Sequence, residues 1–435
     1  MRPADAAPAA ADARGAAETG PALVTVAGMD VAGNPPHPEL AAALARAGLV
    51  IGAARHLAAV TVPARARTVV LGPLAPAVER LAAAVAAGTP AVVLASGDPG
   101  FFGIVRRLRA AGLPVRVLPA VSSVAAAFAR AGLPWEGAAV VTAHGRDVRP
   151  ALNACRALPL VAVLTAPGAG AAEVGAGLVG WSRRLLVAEQ LGTGPERLTW
   201  TTPPEAAARA WADPHVVVSV AAGPPAPGGE PHADDRRTAG AMRVDDQPAA
   251  APAGGWALPE TAYAHRDSMI TKAEVRALAV ARLRPRLGRL VWDVGAGSGS
   301  VGIECALLGA AVIAVERDPA AADLVRANAA RHRVDVRVVP GSAPAALDGL
   351  PEPDAVFVGG GGAGALAAVV TRRPARVVLA LAALDRVVVA RDLLRGAGYA
   401  VEGVQLSAAR LADLPGGSVR LAATNPVVVL SGERP

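Results

Sequence analysis

The chain has 435 residues, 53% of them hydrophobic, and a formal net charge of +7. That length exceeds what one ordinary core organises and points to two or three domains. The basic charge is almost all arginine, Lys272 being the only lysine, within a composition rich in Ala, Gly and Pro; it argues only weakly for nucleic acid. Aromatics make up 3%, so the cores must be built from Ala, Val and Leu. Cys155 and Cys305 lie far apart and form no CxxC pair, so neither a disulfide framework nor a zinc site is indicated, and no metal is expected. No apolar run is long and pure enough to cross a bilayer, and residues 1–20 carry no signal h-region. A cytoplasmic protein with a disordered lead-in at residues 1–20 is the expectation.

In chain order, Leu23–Gly28 reads as a strand entering a loop rich in Gly, Asn and Pro. A helix over Pro38–Ala47 and a strand over Leu49–Gly52 follow, then Arg55-His56, a strand near Thr68–Leu71 and an alanine-rich helix from Pro76 to Ala87. The strand Ala91–Ala95 runs straight into Ser96-Gly97-Asp98-Pro99. Helix Ile104–Ala110, strand Val115–Leu118 and a helix opened by Ser122-Ser123 complete an alternating α/β pattern. A second lobe starts near Ala138, with strands at Leu160–Leu164, Leu185–Glu189 and Val216–Val220 and a Gly/Ala segment, Pro167–Gly180, between them. The Pro, Gly and charged residues of 223–255 read as a linker. The domains are therefore 21–222 and 256–435. In the second, a helix carries Val275, Leu278 and Leu283, and strands fall at Val336–Val339, Asp354–Val358, Val377–Leu381, Tyr399–Leu406 and Val427–Leu430.

The most informative stretch is Leu290–Ser300, an apolar strand that breaks into Gly295-Ala296-Gly297-Ser298-Gly299 and then a helix. Glycines there let backbone approach a ligand closely, and amides at the helix start can receive its polar groups. A second strand, Val312–Val315, ends in Glu316, 21 residues after Gly295 (316 − 295). An acid at that spacing is placed to accept hydrogen bonds from the ribose hydroxyls of an adenosine cofactor. Gly341-Ser342-Ala343 follows the next strand, where an adenine edge is read in such a fold. Ser300 stands where a dinucleotide fingerprint carries its last glycine, which favours S-adenosylmethionine over NAD.

These residues carry a resemblance. Residues 256–435 resemble the decarboxylating precorrin C15-methyltransferases through Met269–Arg276, Trp292–Ser300 and Pro353–Gly362. The N-terminal half is similar to the partner C5-methyltransferases of the tetrapyrrole methylase family through Ser96–Pro99, Phe102-Gly103, Pro119–Ser123, Phe128–Arg130, Gly132–Trp135, His144–Arg146 and Ala188–Gly192. In this order the two resemble the fused precorrin-6Y C5,15-methyltransferase (decarboxylating) family. Asp30, Ala166 and Asp385 depart from the family pattern.

The resemblance implies an α/β fold: an N-terminal two-lobed tetrapyrrole-methylase-type domain, then a C-terminal Rossmann-like class I methyltransferase domain. It implies methylation at C5 and C15 with loss of the ring C acetate carboxyl, giving precorrin-8X, with one S-adenosylmethionine per domain. For the C-terminal cofactor it points to Thr271, Gly295, Ala296, Gly297, Ser298, Gly299, Glu316 and Ala343. For the N-terminal one it points to Gly28, Gly97, Asp98, Ser122 and Ser123, though the two serines equally suit helix capping. His265, Arg266 and Lys272 are candidates for substrate carboxylates or the proton relay of decarboxylation, and His144 with Arg146 for tetrapyrrole carboxylates. His265 and His144 read as well as plain surface or structural histidines. The expected partner is the small tetrapyrrole, with neither nucleic acid nor membrane, and the expected state is a homo-oligomer. Rival readings are a nucleic-acid methyltransferase, an NAD(P)-dependent oxidoreductase, and a C15 methyltransferase with a non-catalytic N-terminal scaffold.

Overall fold

The computed structural model describes residues 22–222, 256–266 and 270–435. The lead-in at 1–20, the linker at 223–255 and Met269 lie outside them. By compactness the chain divides into two units, one of residues up to Leu133 with Leu191–Glu196, the other of Pro134–Gln190 with Arg197–Pro435.

In the first unit, β1 (Val24–Met29), β2 (Leu49–Gly52), β3 (Arg67–Val70), β4 (Ala91–Ser96) and β5 (Val115–Leu118) form a sheet in the order β3-β2-β4-β1-β5. All its pairings are parallel. The central strands are short Val/Ile/Leu/Ala runs because both their faces are covered. Val24, Val26, Ile51 and Val93 meet Leu81 and Leu108 on one face, and Val50, Val92 and Leu94 meet Leu40 and Leu44 on the other. Met29 is in register with Ser96, so the loops leaving β1 and β4 emerge side by side.

The second unit contains two main sheets. β6 (Ala139–Thr142), β7 (Leu160–Leu164), β8 (Arg183–Glu189), β9 (Arg197–Thr201) and β10 (His215–Ala221) lie in the order β6-β7-β10-β8-β9, antiparallel except for β6 with β7. The Gly/Ala stretch before β8 contains a helix, Ala171–Leu178. The Glu173 carboxylate accepts the Gly170 N–H at its start. Its glycines serve packing: a Cβ on Gly175 would lie 2.7 Å from the Pro203 carbonyl oxygen, and one on Gly177 would lie 2.5 Å from Leu152. Glycine content alone suggests a loop, and tight helix packing is the reason it is not one.

The other sheet holds β11 (Leu290–Val294), β12 (Ala311–Glu316), β13 (Val336–Pro340), β14 (Ala355–Val358), β15 (Arg376–Leu381) and β16 (Ala400–Leu406). A separate hairpin, β17 (Ala409–Asp413) with β18 (Val419–Ala423), precedes β19 (Val427–Glu433). The sheet order is β13-β12-β11-β14-β15-β19-β16, with the first five strands parallel and β19 antiparallel to both neighbours. Strand order reverses between β11 and β14, and a crevice outside the carboxyl ends at such a switch point is where ligands bind in open α/β sheets.

Trp181, in the turn before β8, is buried in the same cluster as Leu290, Trp292, Ala311 and Ile313. The fully buried Arg183 pairs with Asp335 at 2.6 Å, and Asn153 donates to the Gly288 carbonyl at 3.1 Å. The sheet β6–β10 thus shares its interior with the C-terminal sheet, which is why the second unit takes in both.

Candidate active site

The chain leaves β11 through Gly295, Gly297 and Gly299, whose φ values are +72°, +58° and +76°. L side chains rarely adopt such values, so the GxGxG spacing is a backbone requirement. A Cβ on Gly295 would stand 2.7 Å from the Gly360 nitrogen, whereas one on Gly297 would meet nothing within 4 Å. The first glycine therefore serves the close passage of two loops, and the second opens into space.

That space is a cavity of about 420 Å³, within the range of small-molecule sites. Gly295, Gly297, Ser298, Glu316, Ala343 and Arg266 line it together with Asp318 and Gly359–Gly361. Thr271, Ala296, Gly299, His265 and Lys272 are not among its lining residues. Gly299 is buried against Val325. Thr271 and Lys272 instead offer their carbonyls to Arg276, Thr271 at 2.6 Å and Lys272 at 2.8 Å. His265 is exposed, its Nδ1 donating to the Tyr263 carbonyl at 3.0 Å.

Glu316 is 7% exposed. One carboxylate oxygen accepts the Gly297 N–H at 2.8 Å, the other the Asp318 N–H at 3.0 Å. A carboxylate has about four lone-pair sites, so about two remain toward the cavity. Asp318 caps the helix Pro319–Arg331 and pairs with Arg266, which fixes that guanidinium at the cavity edge. Beneath the turn, Asp293 is 1% exposed and accepts the Gly302 N–H at 2.9 Å with Oδ2. Its Oδ1 has no partner, and burial pushes its carboxyl up to about 7, the nearby Glu316 charge adding to the rise.

Residues not legible as site residues in the sequence hold this frame. Fully buried Arg276 and Glu304 pair at 2.6 Å. Glu304 also accepts the N–H groups of Ala257 and Leu258 and the Tyr263 hydroxyl, while Arg276 donates to the carbonyls of Thr271 and Leu258. Asn328 donates at 2.9 Å to the carbonyls of both Ser298 and Ala264 and accepts the Ala264 N–H. The segment carrying His265 and Arg266 is therefore strapped to the glycine turn. The only sequence signal was a polar residue where the helical period calls for an apolar one.

In the first unit, a Cβ on Gly28 would lie 2.5 Å from the Gly97 carbonyl oxygen and 2.8 Å from the Ala120 nitrogen. Gly97 has φ +63°, and its N–H donates to the Met29 carbonyl at 2.6 Å. The Ser122 hydroxyl accepts the Ala125 N–H as the N-cap of helix Ser123–Ala131. The Asp98 carboxylate accepts the Gly100 N–H at 2.7 Å. Gly28, Gly97 and Ser122 thus converge at the ends of β1 and β4, and the capping reading of Ser122 holds. Asp30 accepts the Asn34 N–H within its own loop. In the second unit, His144 is exposed in the turn after β6, its N–H donating to the Thr142 hydroxyl.

Among the described residues no group of His, Cys, Asp and Glu is arranged to hold a metal ion, and no helix is long and apolar enough to cross a membrane.

Residues 261–429 match the model of the precorrin methyltransferase domain, and residues 38–208 that of the tetrapyrrole (corrin/porphyrin) methylases. The chain is thus a methyltransferase. A precorrin-6Y C(5,15)-methyltransferase (decarboxylating) of Sinorhizobium sp. is 39% identical over 338 residues, covering 73% of each chain. One from Mycobacterium tuberculosis is 34% identical over 340 residues, covering 73% of this chain and 75% of the relative. The solved C-terminal domain of precorrin-6Y C5,15-methyltransferase from Rhodobacter capsulatus is 35% identical, covering 41% of this chain and 98% of that one, with a TM-score of 0.37. The chain belongs to the precorrin-6Y C(5,15)-methyltransferase (decarboxylating) family. Its activity is S-adenosylmethionine-dependent methylation with decarboxylation in cobalamin biosynthesis.

Proposed function

We propose that residues 21–222 methylate a precorrin-6-type reduced tetrapyrrole at C5, and that residues 256–435, a Rossmann-like class I methyltransferase domain, methylate C15 and release the ring C acetate carboxyl as carbon dioxide. Each half takes its own S-adenosylmethionine. The observation that carries the reading is the cavity at the β11/β14 switch point lined jointly by Gly295, Gly297, Glu316 and Ala343. The residues fit the cofactor: Gly297 has no atom within 4 Å of its would-be Cβ, and Glu316 keeps acceptor capacity for a ribose.

When bound, S-adenosylmethionine supplies an activated methyl group on a sulfonium. The chain's own share is alignment and exclusion of water. Glu316 grips the ribose, Ala343 flanks the adenine, and the open face of Gly297 with Ser298 lets the remainder lie close to the turn. Arg266, oriented by Asp318, takes a substrate carboxylate, and Gly359–Gly361 let a flat macrocycle lie close to backbone. In the relay of decarboxylation, His265 spends Nδ1 on the Tyr263 carbonyl, which leaves Nε2 to hold or pass a proton, and Lys272 is a second donor. His144 meets a tetrapyrrole carboxylate in the N-terminal reaction.

The test is anaerobic incubation of the whole chain with the reduced precorrin and labelled methyl donor, read by mass. Gain of both methyls with loss of one carbon dioxide is expected. Gain of the C15 methyl alone would make the N-terminal half a substrate holder and overturn the two-site reading.

A further inference from the structure

Arg183, Arg276 and Arg372 are held by carboxylates, Asp335, Glu304 and Asp348 in turn, and the buried Arg156, which has none, spends its N–H groups inward on Asn153 Oδ1 and the Gly177 carbonyl. Arg55 is held differently. It is exposed in the short helix Ala54–Ala58 that follows β2. Its Nε donates to His56 Nε2 at 3.2 Å and its Nη2 to the Ser96 hydroxyl at 3.0 Å. Both acceptors are neutral. Receiving an N–H from a guanidinium requires a lone pair on His56 Nε2, so the imidazole proton sits on Nδ1. His56 is 2% exposed, and burial first, then the Arg55 charge, lowers its pKa, which keeps it uncharged.

Among the described residues no carboxylate lies within ion-pair distance of Arg55, so its charge is uncompensated while two hydrogen bonds fix its fork. Ser96 is the last residue of β4, in register with Met29 and adjacent to Gly97. The guanidinium is therefore anchored one residue from the glycine that closes against Gly28. An arginine already paired with an acid has part of its charge offset before an anion arrives. One held by neutral acceptors offers orientation and charge together, and its planar fork suits a carboxylate.

We propose that Arg55 is a carboxylate-recognition residue of the N-terminal half, receiving an acetate or propionate side chain of the tetrapyrrole, with His56 and Ser96 as positioning residues. The inference rests on the N-terminal half being the C5 methyltransferase.

The test uses the full-length chain carrying Arg55→Gln, with C5 and C15 methylation resolved by fragment mass. Tetrapyrrole affinity is titrated by absorbance without methyl donor, and donor affinity by calorimetry. The expected result is a KM for the C5 step raised roughly 10- to 100-fold, with kcat, the C15 step and donor affinity unchanged. His56→Gln keeps a neutral acceptor and should behave as wild type. His56→Glu, which neutralises the guanidinium, should reproduce the rise in KM. An unchanged KM in Arg55→Gln overturns the proposal, and so does lost donor affinity, which would assign the guanidinium to the cofactor. If the wild-type chain adds no C5 methyl, the functional reading fails separately. The titration then decides alone: weaker tetrapyrrole binding by Arg55→Gln upholds the role of Arg55, and equal binding overturns it.

Discussion

The turn after β11 and the loops after β1 and β4 both use glycine to bring backbone against a crevice, but different forces hold them. Around Gly295–Gly299 the interior supplies matched polar partners: Glu316 for the Gly297 N–H, Asn328 for the Ser298 carbonyl, and the Arg276–Glu304 pair behind them. At the N-terminal loops Gly28 and Gly97 are fixed by backbone contact, and the nearby surface charge of Arg55 rests on neutral acceptors. The first crevice is framed by buried polar groups that pair with one another, Asp293 Oδ1 excepted. The second keeps its charge for a ligand.

Breaking the buried frame should have the largest effect. Arg276→Met leaves the Glu304 carboxylate buried and unpaired and should cost about 3–5 kcal/mol, seen as early urea unfolding of the C-terminal half. Arg55→Gln should leave the unfolding midpoint unchanged, and equal losses would erase the contrast between the two regions. Next comes Gly295→Ala, which needs positive φ and sets a Cβ 2.7 Å from the Gly360 nitrogen. Strain and overpacking together should cost about 3 kcal/mol. Gly297→Ala carries strain alone, about 1 kcal/mol, and similar midpoints for the two variants would refute the close-approach account of Gly295.

Glu316→Ala should weaken donor binding to the C-terminal half roughly 10- to 100-fold and abolish C15 methylation while C5 methylation persists; calorimetry and product mass check both. A fourth test concerns pH. The folded Asp293 carboxyl sits at about 7 against an ordinary 3.8, so between those values the folded state holds a proton that the unfolded state has lost. Its contribution is fully present below the unfolded value and declines as pH rises through the folded one, by about 1.4 kcal/mol per pH unit at the steepest. Asp293→Asn should remove that slope from the unfolding free energy. The smallest effect is expected of Arg326→Ala, which breaks an exposed pair with Asp323 on one helix; under about 0.5 kcal/mol and no change in either methylation would set the baseline.

Much of the C-terminal crevice was legible in the chain. The spacing from Gly295 to Glu316 and the run Gly341–Ala343 identified residues that line one cavity. The alternation of short apolar strands with helices gave the parallel N-terminal sheet and the five parallel strands of the C-terminal one. Less legible were elements whose cause is distant: the helix Ala171–Leu178, capped by Glu173 and packed on Leu152, and the hairpin β17–β18, tied by Arg410 to Glu260 and Glu274. Local composition records neither contact. Thr271 read as a neighbour of the cofactor and Lys272 as a candidate for substrate carboxylates or the proton relay, yet neither lines the cavity. The Thr271 carbonyl serves the Arg276 side chain, held by the fully buried salt bridge, and the Lys272 carbonyl takes the ordinary helical bond from the Arg276 backbone N–H.

The sequence by itself determined where backbone must turn through positive φ, which strands are covered on both faces, and where an acid stands at the end of β12, because steric limits and hydrophobic period act within a few residues. Only the tertiary structure decided which partner satisfies each buried polar group. It gave Glu316 two amide hydrogen bonds, buried Trp181 in the core of the C-terminal sheet, and left Arg55 with neutral acceptors. Those pairings join residues far apart in the chain, and the cost of burying a polar group unpaired selects them only once the sheets have assembled.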